Sequence, residues 1–379
     1  MAFPVSWLPW FVGMALLLLS GCEPLRRDVF HPSADSGVAP QEETWEPDAG
    51  TQEADAGTCY TERFLGWDTS FAIDAQGVGH FASVQDHKPF LGTTRSGDPV
   101  ESLPLDVSSV WGLEVDAQGH RHLLLRSSLT EASIYAQDLH GSWQSQLLRE
   151  DYYRQRRYLA FVSAPGGTAH MLYDSGEMER YLGHGANRSG AWVMEGLGIY
   201  LTQDLPALAV DARGKAHIAY ETTSAPGLHY ATNASGGWAM ERVDTQDGGP
   251  PAIALDAEGR PHLFYLEPGG RYIHLTKVEG SWQRTEVALG QPSATALRMD
   301  AAGTLHAVFR DSDSTLSHAS NAGGSWSVTR LFRSEVSTPL VRLSFVLDAR
   351  GRPVIGYEYR DGSKPFHRAA RFASPGPCP

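Results

Sequence analysis

Short apolar and polar blocks alternate along most of this chain, and the alternation repeats. From residue 71 onward, an apolar stretch is followed by Asp-Ala-x-Gly and then by a second apolar stretch that begins x-x-His and usually ends in an aromatic residue. The clearest copy reads IALDAEGRPHLFY over residues 253–265. Because Asp bonds nearby backbone amides and Gly accepts positive φ, each copy predicts two strands joined by a tight turn.

Each unit continues with a third apolar stretch and with Gly-x-Trp or Gly-Gly-Trp, which opens a fourth. Four strands in a period of about 45 residues predict a β-propeller, because one small sheet buries both faces only between neighbouring blades. The sequence therefore predicts an all-β, seven-bladed propeller over residues 59–379. The seven copies of the turn motif start at Asp74, Asp116, Ser163, Asp211, Asp256, Asp300 and Asp348.

These units resemble those of bacterial seven-bladed propeller proteins with D-A-x-G-x-P-H-x-x-Y repeats, and the resemblance covers residues 60–371. It implies the fold. It leaves the function open, because such propellers include lectins, assembly scaffolds and lipoproteins of unassigned activity.

The last unit contains three predicted strands but no fourth. Residues 59–65, CYTERFL, precede the first unit and resemble the fourth strand WSVTRLF at residues 326–332. We therefore expect the N-terminal strand to complete the seventh blade. Cys59 and Cys378 flank that junction, which predicts a disulfide that locks the ring in an oxidising compartment. The alternative is two free thiols.

The N-terminal residues resemble a targeting signal. An apolar stretch ends in LSGC at residues 19–22, which resembles the lipobox of bacterial lipoproteins. The resemblance implies a signal peptide at residues 1–21 and a lipid on Cys22 that holds the chain at the membrane of the cell envelope. Because Glu23 rather than Asp follows Cys22, we favour the outer membrane. The alternative is an ordinary signal peptide or an uncleaved anchor.

Residues 22–58 are rich in Pro, Asp, Glu, Ala and Gly and contain almost no large aliphatic side chains. They predict a disordered tether, since they bury too little apolar surface to offset the entropy of ordering. The formal net charge of the chain is −13 and no Lys/Arg run occurs, which argues against nucleic acid as a partner. No cofactor is predicted, and we expect a monomer.

Histidine and tryptophan recur once in most units. We interpret the histidines as structural, because equivalent positions on blades about 10 Å apart cannot share one metal ion. For the tryptophans we favour packing between blades, with stacking on sugars as the alternative. The recurring histidines are His80, His122, His170, His217, His262 and His306, and the tryptophans are Trp143, Trp192, Trp238, Trp282 and Trp326.

Departures from the repeat predict a ligand site better than the repeat itself, because packing demands recur in every blade. Four and two residues before the motif Asp, most inner strands carry Ala, Ser or Gly. Glu114 and Arg298 break this pattern with charge, whereas Leu159 and Phe161 break it with bulk and are expected to plug the channel.

A second departure precedes the third unit, in a connection expected at the rim of the central opening. An Arg and Tyr cluster there could hold an acidic or sugar ligand by charge-assisted hydrogen bonds and stacking. Trp111, in the matching connection of the second unit, is expected to be its neighbour. The alternative is a solvated loop whose charges pair with one another. The cluster consists of Tyr152, Tyr153, Arg154, Arg156 and Arg157.

Two function classes follow. The first is a tethered, non-enzymatic binding or scaffold module whose partner is a glycan or an envelope protein. The second is a carbohydrate-active enzyme, a hydrolase or lyase on the same fold, although no Gly-x-Ser-x-Gly, His-Glu-x-x-His or phosphate-loop motif occurs. An acidic pair in a deep central pocket would favour the enzyme, grooves lined by Trp would favour a lectin, and a flat, plugged face would favour a scaffold.

Overall fold

A computed structural model of the chain describes residues 53–54, 58–139, 141–148, 157–174, 180–188, 190–202, 205–246, 248–287, 294–360 and 368–378. Apart from one 3-10 turn at Ala322–Gly324, the regular structure of these residues is β-strand. None of them forms a helix long and apolar enough to cross a membrane. The predicted signal peptide, Cys22 and most of the predicted tether lie outside the described residues.

The strands form seven antiparallel sheets, which are the blades of the predicted propeller. The first two strands are β1 (Glu53–Ala54) and β2 (Thr58–Trp67). Blade 1 contains β3 (Ser70–Ile73), β4 (Gly79–Gln85), β5 (Lys88–Thr93) and β6 (Glu101–Ser102). Blade 2 contains β7 (Val107–Val115), β8 (Arg121–Ser127), β9 (Ser133–Leu139) and β10 (Ser142–Leu148). Blade 3 contains β11 (Arg157–Ser163), β12 (Ala169–Asp174), β13 (Tyr181–Arg188) and β14 (Ala191–Tyr200).

The remaining blades follow the same order, from the inner strand to the outer one. Blade 4 contains β15 (Ala207–Val210), β16 (Ala216–Thr222), β17 (Ala225–Thr232) and β18 (Ala239–Arg242). Blade 5 contains β19 (Ala252–Leu255), β20 (Pro261–Leu266), β21 (Tyr272–Val278) and β22 (Ser281–Val287). Blade 6 contains β23 (Ala294–Met299), β24 (Leu305–Arg310), β25 (Thr315–Ser320) and β26 (Ser327–Arg333). Blade 7 contains β27 (Leu340–Leu347), β28 (Pro353–Arg360) and β29 (Arg368–Pro377), followed in the sheet by β2.

The Asp-Ala-x-Gly motif forms the turn between the first two strands of a blade. In blade 1, Asp74 Oδ1 accepts hydrogen bonds from the backbone N–H groups of Gln76 and Val78, both at 2.9 Å. Gly77 has a φ of 78°, a conformation that residues with a Cβ rarely adopt. The motif therefore forms a hydrogen-bonded turn between two strands, as the sequence predicts.

In blade 3 the turn begins one residue later than predicted. Ala164 occupies the position of the motif Asp, since its N–H bonds Thr168 O at 2.8 Å and its C=O accepts from Gly167 at 2.9 Å. The repeat therefore starts at Ala164 and not at Ser163. The residues four and two positions before Ala164 are Ala160 and Val162. Leu159 and Phe161 therefore do not occupy the positions at which most other blades carry small side chains.

Apolar side chains form one core cluster at each junction between neighbouring blades. The junction of blades 7 and 1, for example, buries Phe71, Val346 and Phe372 together. Since every blade buries both of its faces against its neighbours, the blades fold as one ring rather than as independent sheets.

The ring closes as predicted. Strand β2 pairs with β29 in antiparallel register from Thr58 opposite Pro377 to Trp67 opposite Ala369, and so supplies the outer strand of blade 7. Cys59 and Cys378 form a disulfide across 319 residues of sequence. Strand β1, which lies within the predicted tether, adds two residues to the edge of this blade.

Candidate functional site

A cavity of about 570 Å³ lies at the centre of the ring, lined mainly by the inner strands of blades 2 to 7. Blades 4 and 5 contribute small side chains to it, among them Ala207, Ala209, Ala252 and Ala254. This volume falls within the range of pockets that hold small ligands. The charged side chains come from blades 2, 6 and 7, so the cavity is not symmetric.

Phe161 does not plug the channel. It is 8% exposed and packs in the cluster between blades 2 and 3 with Leu124 and Met171. A Cβ on Gly112 would approach its Cδ1 to 3.0 Å, so glycine at that position makes room for the ring. Leu159 packs toward blade 4, and the register between β11 and β12 shifts at this residue.

Glu114 forms the shortest described ion pair of the cavity with a residue that the sequence reasoning missed. Nη2 of Arg342 donates to Glu114 Oε1 at 2.6 Å. Nη1 of the same guanidinium donates to the carbonyl of Phe71 at 2.9 Å and lies 3.7 Å from Glu358 Oε1. Arg342 thus joins blades 7, 1 and 2 and is the counter-ion of two carboxylates.

Both carboxylates are surrounded by protein. Burial raises the pKa of Glu114, an effect that the charges of Arg342 and Arg298 oppose. Burial also raises the pKa of Glu358, against the charges of Arg342 and Arg368. The cavity therefore contains the acidic pair that the enzyme hypothesis requires, but the guanidinium of Arg342 forms ion pairs with both carboxylates.

Arg298 extends into the cavity from the inner strand of blade 6. Its side chain is exposed to solvent through the open cavity, although it stands inside the ring of blades. This enclosure lowers the pKa of its guanidinium, because desolvation outweighs the attraction of Glu114, and Arg342 adds repulsion. Among the described residues, none forms a hydrogen bond or close ion pair with Arg298.

The cavity carries more positive than negative charge, although the whole chain has a formal net charge of −13. Such a local reversal of sign concentrates anions at the cavity. The charged residues that line the cavity in the described part of the chain are Arg298, Arg342, Arg360 and Arg368, together with Glu114 and Glu358.

Trp111 lines the cavity as well, but it lies within β7 and not in the connection where the sequence placed it. Its ring contacts that of Tyr158 at a centroid distance of 4.7 Å, and the guanidinium of Arg126 lies 5.9 Å from the Trp111 ring centre. Tyr158 also lines the cavity, so this aromatic pair forms part of its wall.

The predicted Arg and Tyr cluster is not tested. Tyr152, Tyr153, Arg154 and Arg156 lie outside the described residues, and Arg157 is the first residue of β11. Sequence reasoning missed Arg342, Glu358, Arg360 and Arg368. One signal could have found Glu358, because it is a carboxylate inside the apolar run Val354–Tyr359.

Three of the six recurring histidines hydrogen-bond the motif aspartate of their own blade, which agrees with the structural interpretation. His80, His122 and His306 lie within 3.0, 3.3 and 3.2 Å of Asp74, Asp116 and Asp300. The other ring nitrogen of most of them meets a Tyr or His of the third strand, as in the 2.7 Å contact of His122 with Tyr135 Oη. No group of three potential metal ligands occurs in the described part of the chain.

The recurring tryptophans pack on the preceding blade. The ring of Trp282 stands edge-on to Tyr230 at 5.3 Å, and that of Trp238 stands edge-on to His184 at 5.2 Å. Trp143 donates to Glu101 Oε1 at 2.6 Å across the same kind of junction. These contacts support the packing interpretation over open sugar platforms.

No known protein family matches the chain, and no curated protein matches it. Among solved structures, the chain is similar to a streptogramin B lyase with a TM-score of 0.54 and 10% identity, over 86% of this chain and 100% of that one. It is similar to a protein of unknown function from Dyadobacter fermentans, with a TM-score of 0.49 and 12% identity over 86% and 99% of the two chains. It is also similar to the Aleuria aurantia lectin, with a TM-score of 0.48 and 12% identity over 69% and 92%. At these identities the likeness to the lyase shows the propeller fold alone.

Proposed function

We propose that the chain is a lipid-tethered, non-enzymatic binding module of the bacterial cell envelope, and that it binds a glycan in its central cavity. The observation that carries the proposal is the asymmetry of that cavity. Charged side chains enter it from blades 2, 6 and 7, whereas blades 4 and 5 line it with alanine. Since the core packing recurs at every junction, a feature confined to three blades is not required by the fold.

The chemistry of the cavity suits a sugar. Guanidinium and carboxylate groups form charge-assisted hydrogen bonds with hydroxyls, and an aromatic pair such as Trp111 and Tyr158 offers a stacking surface. The small side chains of Ala209 and Ala254 leave room for the apolar face of a pyranose ring. A protein partner, the other ligand class open from the sequence, would instead have to insert a side chain into the cavity.

The membrane anchor rests on the lipobox resemblance at Cys22. We propose that the lipid on this cysteine holds the propeller at the envelope, on the outer membrane. In the producing bacterium, a Cys22→Ser variant should move from the membrane fraction to the soluble fraction. Retention of the variant in the membrane would contradict the anchor without touching the binding proposal.

Binding of the purified full-length chain to an array of bacterial envelope and host glycans tests the function. We expect a saturable hit that is weakened by Ala209→Leu, which narrows the cavity, and unchanged by Ala239→Leu, which adds the same volume on an outer strand. Silence across the array, or equal binding by both variants, would contradict a glycan site in the central cavity.

A second candidate function is supported by one observation. Glu114 and Glu358 are two enclosed carboxylates with raised pKa values on opposite sides of Arg342. Paired carboxyl groups with unequal surroundings are the machinery of glycoside hydrolysis. If the chain cleaves the glycan that it binds, mass spectrometry will show shortened products with the wild type and none with Glu114→Gln. Recovery of intact glycan from both would support binding alone.

A further inference from the structure

Two cavity cations, Arg360 and Arg298, have no close counter-ion among the described residues, and Arg298 is the one that lies on an inner strand. Its two charged neighbours are Glu114 and Arg342, and neither forms a hydrogen bond or close ion pair with it. The other enclosed charges of the cavity do have partners. Glu114 and Glu358 both contact Arg342, and Arg368 lies 3.9 Å from Glu358.

Glu114 is not available to neutralise Arg298. Its carboxylate already accepts a hydrogen bond from Arg342 at 2.6 Å, and Arg342 is itself fixed by the carbonyl of Phe71. A cation that faces an open cavity without a close counter-ion is free to pair with an incoming anion. Such a residue suits a binding site in which the ligand itself supplies the counter-ion.

We infer that Arg298 is the anion-binding residue of the central cavity and that the ligand is a saccharide carrying a carboxylate, as uronic acids do. This inference rests on the proposed function, since it names the class of glycan that the cavity takes. The planar guanidinium presents two parallel N–H donors that match the two oxygens of one carboxylate.

The single charge of Arg298 and the apolar wall of the cavity favour a carboxylate over a phosphate group. A phosphate monoester carries nearly two negative charges at neutral pH, and Glu114 and Glu358 share the cavity with Arg298. Arg298 alone balances a single carboxylate, whereas a phosphate would also need the charge of a second unpaired cation. The alanine-lined wall of blades 4 and 5 faces the same space and suits a sugar ring better than a second charged group.

Calorimetry on the purified full-length chain tests the inference with matched probes. The probes are galacturonate and glucuronate oligosaccharides, the corresponding neutral galactose and glucose oligosaccharides, inorganic phosphate, and a peptide rich in Asp and Glu. The variants are Arg298→Gln, which removes the charge, Arg298→Lys, which keeps the charge without the fork, and Arg330→Gln. Arg330 is an exposed arginine on the outer strand of the same blade and serves as the control.

We expect one of the acidic oligosaccharides to bind, its neutral counterpart to bind at least about tenfold more weakly, and Arg298→Gln to lose about 10- to 100-fold in affinity. Arg298→Lys should recover part of the loss, and Arg330→Gln should match the wild type. Neutral oligosaccharides that bind equally well, with no effect of Arg298→Gln, would overturn the inference while leaving the proposed function intact. Binding of no saccharide at all would overturn both.

Two further outcomes would also overturn the inference. Phosphate that binds with the same dependence on Arg298 would show a general anion site rather than one for carboxylates. Acidic peptide that binds in place of any saccharide would move the ligand to the protein class.

Thermal unfolding separates this role from a structural one. Because Arg298 makes no close ion pair or hydrogen bond that the substitution would break, Arg298→Gln should unfold at the same temperature as the wild type when no ligand is present. A structural arginine would give a lower unfolding temperature in the variant, and that result would overturn the assignment.

Discussion

Histidines stack in pairs in two consecutive blades. The rings of His262 and His274 lie 5.2 Å apart and 9° from parallel, and those of His306 and His318 lie 5.2 Å apart and 5° from parallel. Each pair shares one hydrogen bond between ring nitrogens, at 3.0 and 2.9 Å. Burial, and after it the charge of the neighbouring histidine, lowers the pKa of His274 and of His318 to about 4.

This pairing predicts a loss of stability in mild acid. A histidine whose folded pKa is about 4 and whose unfolded pKa is near 6.5 binds a proton more readily when unfolded, so its contribution is complete above pH 6.5 and is lost as the pH falls toward 4. At pH 5 the loss amounts to at most about 2 kcal/mol for each such histidine. The free energy of unfolding, measured by urea denaturation at pH 7 and pH 5, should fall less in His274→Gln/His318→Gln than in the wild type.

The control for this measurement is His87→Asn, at an exposed turn, which should behave as the wild type. If the double variant loses as much stability as the wild type between the two pH values, the buried pairs are not the cause.

At the scale of single residues, the sequence identifies two charged residues that line the cavity but not the residue that pairs with Glu114. Glu114 and Arg298 stand out because they put charge at positions where other blades carry small side chains, and both do line the cavity. The sequence does not reveal the role of Arg342, because its partner Glu114 lies 228 residues away along the chain. The error at Ser163 has a local cause, since Ala164 replaces the Asp that sets the register elsewhere.

At the scale of strands, a tryptophan at or just before the outer strand of blades 2 to 6 packs on the preceding blade. Trp282 stands edge-on to Tyr230, and the ammonium of Lys277 lies 5.6 Å from its ring centre. Strand order, hairpin turns and the sharing of blade 7 follow from the sequence, because turn chemistry and the alternation of apolar positions repeat in every unit. The bulges in β7 and β11 do not follow, because they depend on how neighbouring blades fit together.

Trp282→Ala tests the packing role of these tryptophans. Removal of a half-buried indole should lower the free energy of unfolding by about 2 kcal/mol and leave affinity for the glycan unchanged. The control is Val328→Ala, at an exposed position on the outer strand of blade 6, which should change stability by less than about 0.5 kcal/mol. A loss of glycan affinity with Trp282→Ala at unchanged stability would instead favour a sugar platform between blades.

At the scale of the whole molecule, closure of the ring depends on its two ends. The outer rim is held by β2 and by the Cys59–Cys378 disulfide, and the centre is held by Arg342, which contacts blades 1 and 2. The ring and its closure were predictable because the repeat count and the orphan strand before the first unit are visible in the sequence.

Reduction of the disulfide should destabilise the ring by up to about 5 kcal/mol, because the bond closes a loop of 319 residues in the unfolded chain. Denaturation with and without dithiothreitol measures this change. The double variant Cys59→Ala/Cys378→Ala should show the same lowered stability and no response to the reductant. Equal stability of the oxidised and fully reduced wild type would contradict a closing role for the bond.

The number of glycan sites on one chain tests the central claim most directly. We would titrate the purified full-length protein calorimetrically with the best ligand from the glycan array and determine the stoichiometry. One site per chain that is lost with Ala209→Leu would agree with a single site in the central cavity. Several equivalent sites per chain, weakened by Trp238→Ala or Trp282→Ala, would place the ligands between blades and contradict the account.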